Sequence, residues 1–407
     1  GNIQMSVTKG QPPRKNKFFA NIQRIPRNVW VLGFVSLLTD ISSETVNSLL
    51  PLFLVSTFQT GVLTIGIIEG IALSTAAIVK MFSGVISDYF ASRKSLAVIG
   101  YGLSTLVKPL FALATSPAWI LAARFGDRVG KGIRVAPRDA LVADDTPEEI
   151  RGAAYGLRQS LDTIGAFLGP VLAFGLMAAS GNNFRFVFWS SLAPGIIAVI
   201  LLALGVRERT RGKSQESKRQ PLNWKILGRL DRKYWMLVAV ALLFNLGNSS
   251  NAFLLLRASS VGISDAFVPL TLLVVNFSYC FSAYPAGVLS DHLGRVKLLV
   301  TGFLLYALVY LGFAFAQTQW QIWTLFALYG LHLGISKGVL SALIADRVPR
   351  ELRGTGFGFI NLATGISLLF ASLIAGGLWQ YYGAHATFIA GSIFALAATI
   401  MLILEEK

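Results

Sequence analysis

GVISDYFASRKSL, from Gly84 to Leu96, recurs as GVLSDHLGRVKLL from Gly287 to Leu299, 203 residues later. A second string, ADDTPEEIRG from Ala143, recurs as ADRVPRELRG from Ala345 at an offset of 202. Two matches at nearly one offset are the mark of a duplicated unit. Around the copies run apolar stretches of about 20 residues, each able to cross roughly 30 Å of hydrocarbon as a helix. They fall at 29–56, 62–87, 95–115, 118–142, 153–180 and 184–206, and again at 234–257, 262–289, 296–316, 319–345, 354–381 and 384–404. Each copy of a repeated string follows an even number of spans, so the two units share one orientation. The expectation is an all-α integral membrane protein of twelve transmembrane helices in two pseudo-symmetric six-helix bundles. The bundles cover 29–206 and 234–404, with an N-terminal tail at 1–28 and a basic linker at 207–233. In parallel repeats of this kind the site lies at the interface of the halves, near the midplane.

Composition agrees. Of the 407 residues 54% are hydrophobic and 14% charged, with a mean hydropathy of +0.61. A soluble domain carries about 25% charged residues. The net charge of +16 would suggest a nucleic-acid partner in a soluble protein. Here the basic residues outside the spans sit in the tail, the linker and alternate loops (Arg93 and Lys94, Arg151, Arg295 and Lys297, Arg347 to Arg353), while the loops near 57–61, 115–118, 317–320 and 382–386 have none. Positive-inside bias accounts for that pattern and places both termini in the cytoplasm, with no nucleic-acid role. The linker is too charged to pack in lipid. Cys280 is alone, so no intrachain disulfide can form, and the basic tail before a long first span is unlike a cleavable signal peptide. The three histidines, His292, His332 and His385, lack metal-ligand spacing, and no Ser/His/Asp set suggests an enzyme. Gly130-Lys131-Gly132 lacks Walker spacing and a following Ser or Thr, so no nucleotide or other cofactor is expected.

Gly84 through Asp88, followed by Arg93 and Lys94, resembles the loop 2–3 signature of the major facilitator superfamily. Gly287 through Asp291, with Gly294 and Arg295, resembles its loop 8–9 counterpart. The first copy departs from the pattern at Tyr89, Ala91 and Ser92. The resemblance covers essentially the whole chain. It implies gating roles for Asp88, Arg93, Asp291 and Arg295, with Arg138 at the cytoplasmic end of the fourth span as partner to Asp88. Arg128-Val-Gly-Lys-Gly132 resembles the superfamily's fourth-helix signature, which would link Arg128 to proton coupling. Gly156, Gly165, Gly169 and Pro170 in the fifth span resemble the antiporter signature, although Ala173 and Phe174 replace two later glycines. Small residues there also serve plain helix packing.

The charged residues inside the spans carry the chemistry. On the fourth span Arg124, Asp127, Arg128, Lys131, Arg134, Arg138 and Asp139 fall on one arc. An isolated charge at mid-bilayer costs at least about 2.5–3.5 kcal/mol, so the stripe faces either an ion-pair network or a water-filled cavity. On the first span Asp40, Glu44 and Asn47 share a face. Two carboxylates one turn apart in low dielectric cannot both ionise cheaply, which suits a proton carrier; permanent neutralisation by arginines of the fourth or fifth span is the alternative. Glu69 is a weaker candidate of the same kind. Arg158 and Asp162 are spaced for an i,i+4 ion pair. The second half offers neutral groups instead, with Asn245 and Ser249 where the first span has Asp40 and Glu44, and one intramembrane cation, Lys337. Proton coupling is therefore expected of Asp40, Glu44, Arg128 and Asp162. Solute contact is expected of Asn47, Lys131, Arg134, Arg158, Asn245, Tyr279, Tyr329, Lys337 and Asn361. The expected function is alternating-access, proton-coupled export of a small organic solute, an anion among the candidates, by a monomer in a bacterial inner membrane. Uptake of a small anion is the alternative.

Overall fold

The computed structural model describes residues 24–89, 92–147, 150–207, 228, 230–349 and 353–405. The expected tail lies mostly outside these, as does most of the linker. The first half comprises α1 (Arg27–Asn47) and α2 (Leu50–Phe58), α3 (Val62–Tyr89), α4 (Arg93–Leu106) and α5 (Lys108–Leu113), α6 (Pro117–Asp145), α7 (Arg151–Ala179), then α8 (Phe184–Ser190) and α9 (Leu192–Gly205). The second comprises α10 (Arg232–Gly247) and α11 (Asn251–Ser260), α12 (Val268–Leu293), α13 (Arg295–Phe315), α14 (Gln319–Arg347), α15 (Arg353–Tyr382) and α16 (Ala384–Glu405). Several spans are therefore two helices end to end. Prolines near the starts of α2, α5 and α9 (Pro51, Pro109, Pro194) remove backbone donors there. Between α10 and α11 no proline is present. The polar run Asn248–Asn251 competes for the backbone instead, and the Ser250 hydroxyl accepts from the Ala252 amide at 3.2 Å.

Eleven spans are long and apolar enough to cross a membrane among the described residues. The twelfth is α6, whose 29 residues suffice in length but carry the charged stripe. One boundary differs from expectation: the eighth span begins at Val268, not 262, because the chain first turns at Gly262 (φ +99°) and again at Ser264–Phe267.

The duplication is visible in the packing. α1 lies along α7 as α10 lies along α15; α3 and α4 clasp α6 as α12 and α13 clasp α14; α9 covers α1 and α4 as α16 covers α10 and α13. The starts of α4 and α13, the starts of α6 and α14, and the ends of α6 and α14 are all 202 residues apart. At the end of the bundle that carries the termini, Asn28 donates to Asp145 (2.6 Å) and to the Arg207 carbonyl (2.8 Å). The equivalent joint in the second half is made by Arg347, which donates to Glu405 (2.5 Å) and the Lys233 carbonyl (3.0 Å). At the far end Arg185 caps the carbonyls of Ala112 and Ala114, and Arg257 those of Phe313 and Ala316. Both cations thus sit at helix C-termini, where the macrodipole favours them.

Across the halves, α3 runs along α15, α7 meets α12, and α2 meets α11. A Cβ on Gly66 would lie 2.3 Å from the Ser372 carbonyl, and one on Gly376 would lie 2.9 Å from the Val62 carbonyl and 3.0 Å from the Leu63 Cα, so this seam favours glycine on both helices. Phe174 packs against Phe267 at the far end, rings tilted and centroids 5.0 Å apart, and Asn276 donates to the Ala166 carbonyl (3.4 Å) at mid-height. Toward the terminal end α7 and α12 part. Among the described residues nothing lies within 4 Å of a Cβ placed on Gly156 or Gly287, and Gln159, Ser160 and Cys280 are exposed. The interface is closed at the far end and opens toward the termini.

Candidate functional site

Between the halves lies a cavity of about 360 Å³. Glu44, Asn47, Glu69, Arg124 and Arg128 line it from the first half. The α10–α11 break (Asn248, Ser249, Ser250, Asn251), with Tyr329 and Lys337 of α14, lines it from the second. The α1–α2 break lies against the same space through Asn47 and Pro51. Broken helices meeting at an inter-repeat cavity are a recurrent way to expose polar groups within a membrane.

The charges of α6 separate into closed pairs and open ones. Arg124 holds Glu69 bidentately (2.7 and 2.8 Å to its two oxygens) and also donates to Asn47. The Ser250 hydroxyl donates to the same Glu69 carboxylate across the interface at 2.9 Å. Glu69 is therefore an inter-half tether, and its expected role as a proton carrier is not what its surroundings favour. Lys108 pairs with Asp127 (3.4 Å) and donates to Ser43 (3.3 Å), with all three buried. Arg134 turns away from the cavity, stacking on Tyr101 (4.7 Å) and donating to Ser104 (2.9 Å); it does not reach a solute there, contrary to expectation. Arg138 pairs with its neighbour Asp139 at 3.0 Å. Arg158 faces Asp162 (3.7 Å) and Asp139 (4.0 Å), so the expected i,i+4 pair forms below the cavity rather than in it.

Among the described residues, Arg128, Lys131 and Lys337 stand beside these pairs without a close carboxylate. Arg128 is buried, its Nε has no hydrogen-bond partner among the described residues, and Asp127 lies 4.0 Å from it. Lys131 is exposed on the same face, within electrostatic reach of Asp40. Lys337 sits over the Tyr279 ring at 5.6 Å. Neither lysine has a carboxylate partner among the described residues.

Asp40 and Glu44 face α7. A Cβ on Gly169 would lie 2.6 Å from the Glu44 Cβ, and one on Gly165 would meet the Leu37 carbonyl and Asp40. These two glycines let α7 approach α1; Gly156 makes no such contact, so its expected packing role is not met. Glu44 accepts from Asn47 (3.1 Å). Asp40 interacts with Glu44 above and with Asp162 below, so carboxylates run from the cavity toward the terminal opening. Asn245 donates within its own helix, to the Ala241 carbonyl (2.8 Å), and Asn361 is exposed away from the cavity. α2 begins at Leu50 and α11 at Asn251, 201 residues on. On α1 itself the register is different: α10 begins at Arg232, 205 residues after Arg27, and Ser367 meets the Leu242 carbonyl as Gly165 meets that of Leu37, which sets Asn245 opposite Asp40 and Ser249 opposite Glu44. Arg93 pairs with Asp144, and Arg295 with Asp346 (2.6 Å), each within its own half. The side chains of Asp88 and Asp291 lie outside the described residues.

Among the polar cavity residues, Ser250 and Asn251 were missed by sequence reasoning; a polar Asn-Ser-Ser-Asn run inside a span was the available signal.

The Major Facilitator Superfamily profile matches residues 32–257 and 235–407. The chain belongs to the major facilitator superfamily. It is 33% identical to an uncharacterised transporter of that superfamily from Methanocaldococcus jannaschii, over 94% of this chain and 96% of the relative. It is 26% identical to the multidrug resistance protein MdtG of Citrobacter koseri (89% and 90% covered). To the multi-drug resistance efflux pump PmrA of Streptococcus pneumoniae it is 23% identical (90% and 92%). Its fold is shared with the nucleoside transporter NupG (TM-score 0.79, 12% identity, covering 93% of this chain and 100% of that one). A bacterial homologue of the lysosomal transporter Spinster also matches, with TM-score 0.77, 16% identity and 97% of each chain covered. The protein is a multi-pass membrane transporter of small-molecule solutes, not an enzyme.

Proposed function

We propose that this transporter exports a small organic solute from the cytoplasm in exchange for protons, as a monomer with both termini cytoplasmic. The observation that carries this reading is the run of carboxylates Glu44, Asp40 and Asp162. It starts at the wall of the inter-half cavity and leads toward the end through which the cavity opens. A group that must take up and release a proton needs contact with both solute site and water, and this run supplies both. Arg128, beside Glu44, would sense its charge. The names of MdtG and PmrA as multidrug resistance and efflux proteins support export.

The test is an untargeted comparison of metabolites in cells with and without the protein. A solute retained by the deletion strain should be released on complementation, and release should stop when a protonophore collapses the gradient. Asp40→Asn with Glu44→Gln should fail to restore it. Restoration by that double variant would defeat the coupling assignment.

A second reading, uptake of a small organic anion with protons, is favoured by Arg128 and Lys337 in the cavity wall. An anion and a proton bound in one low-dielectric cavity assist each other, whereas a cation and a proton compete. This reading predicts that the deletion strain is depleted of the solute.

A further inference from the structure

The cavity carries an unspent positive charge. Its walls hold Arg124, Arg128 and Lys337 against Glu44 and Glu69, three cations to two carboxylates. Arg124 is committed to Glu69 through two short contacts and to Asn47. The start of α11, another natural anion site, is already faced by the Glu69 carboxylate through Ser250. That leaves Arg128 and Lys337, one on each half. Among the described residues the Nε of Arg128, which is nine-tenths buried, has no hydrogen-bond partner and only the Asp127 carboxylate 4.0 Å away, and Lys337 is held by the Tyr279 face alone. A buried guanidinium short of acceptors is costly to keep and is relieved by an acceptor that brings negative charge.

We infer that the solute is a small organic monoanion whose charged group is clamped between Arg128 of the first half and Lys337 of the second. This rests on the reading of the cavity as the solute site. The volume of about 360 Å³ is on the order of a dozen water volumes, which suits a small metabolite. The rest of the wall, with Asn47, Asn248, Asn251 and Tyr329, supplies neutral hydrogen-bonding groups for the uncharged part. The clamp also bears on movement. Closing an empty cavity brings two like charges together in low dielectric, and an anion between them removes that repulsion.

Benzoate, benzylamine and benzyl alcohol are near-isosteric probes that differ in charge. Each is titrated into the purified full-length protein, wild type and two variants, with thermal stabilisation as readout. Benzoate should stabilise wild type saturably, while the amine and the alcohol should not. Lys337→Gln should weaken benzoate by about tenfold or more, as for loss of one charge-assisted contact. Lys337→Arg should retain it. Lys337 is exposed, so the unliganded melting points of both variants should match wild type. No benzoate effect on wild type, stabilisation by benzylamine instead, or an unchanged benzoate response in Lys337→Gln would each overturn the clamp. Asp40→Asn with Glu44→Gln should still bind benzoate. Proton coupling that persists in that double variant, with binding intact, would sink the exchange reading and leave this one standing.

Discussion

The two halves share a helix scaffold and fill it with opposite chemistry. On α6 stand Arg124, Asp127, Arg128, Lys131, Arg134 and Arg138. At the constant offset of 202, the same places on α14 hold Phe326, Tyr329, Gly330, Leu333, Ser336 and Leu340. The buried Lys108–Asp127 pair at 3.4 Å becomes Tyr310 beside Tyr329, their centroids 6.4 Å apart. Tyr306, Phe313, Phe388 and Phe244 extend that aromatic cluster. Ring packing and buried ion pairs can occupy one architecture because both fill the space between helices. They differ in what they permit. An aromatic cluster has no charge to relay, whereas a charge network responds to every proton or ion that enters. The first half is thus the natural seat of coupling, and the second a firm wall that contributes Lys337 and a broken helix.

The largest effect should come from making the first half resemble the second one residue at a time. Lys108→Met leaves Asp127 buried with Arg128, 4.0 Å away, as its remaining partner and should cost about 3 kcal/mol. Melting of the detergent-purified protein reads this loss. Adding Asp127→Leu should recover most of the stability, because a well-packed apolar pair replaces a buried ion pair at little net cost. If the double variant melts as low as the single, the two halves are not interchangeable in the way their register implies.

Next comes the tether between the halves. Glu69→Gln weakens the contacts to Arg124 and Ser250, charge-assisted bonds worth about 1.5–3 kcal/mol each. The far-end closure should loosen, shifting the conformational balance about tenfold or more. A cysteine at buried Ser372, in a Cys280→Ser background, should then react correspondingly faster with a membrane-impermeant maleimide from the far side. Unchanged labelling would show that the α3–α15 glycine seam alone holds the closure.

The smallest effects discriminate two glycines of one helix. Gly169→Ala should cost about 1 kcal/mol or a little more, because the new methyl meets Glu44. Gly156→Ala, with open space around it, should stay within about 0.5 kcal/mol of wild type in melting.

How much of this was legible in the sequence follows from what each feature depends on. The spans are set by hydropathy over about 20 residues, so the start of α13 at Arg295 and of α14 at Gln319 could be read almost to the residue. The α10–α11 break was not read, because Asn248–Asn251 interrupts an apolar run without proline or glycine inside it. The charged stripe of α6 was evident from its 3.6-residue period. Its division into spent and open cations was not, since that depends on residues distant in sequence: Glu69 takes Arg124, Tyr101 and Ser104 take Arg134, and no carboxylate among the described residues pairs with Lys131. Periodicity reports the face a residue lies on, and only the packed structure reports who meets it there.

The account stands most directly on proton movement tied to solute movement through the first half. Vesicles reconstituted with the purified protein and loaded with a pH-sensitive dye would be given the solute that the deletion strain retains. Wild type should move protons opposite to the solute, and Asp40→Asn with Glu44→Gln should abolish the proton signal. Proton movement that persists in that double variant, or runs in the same direction as the solute in wild type, would contradict it.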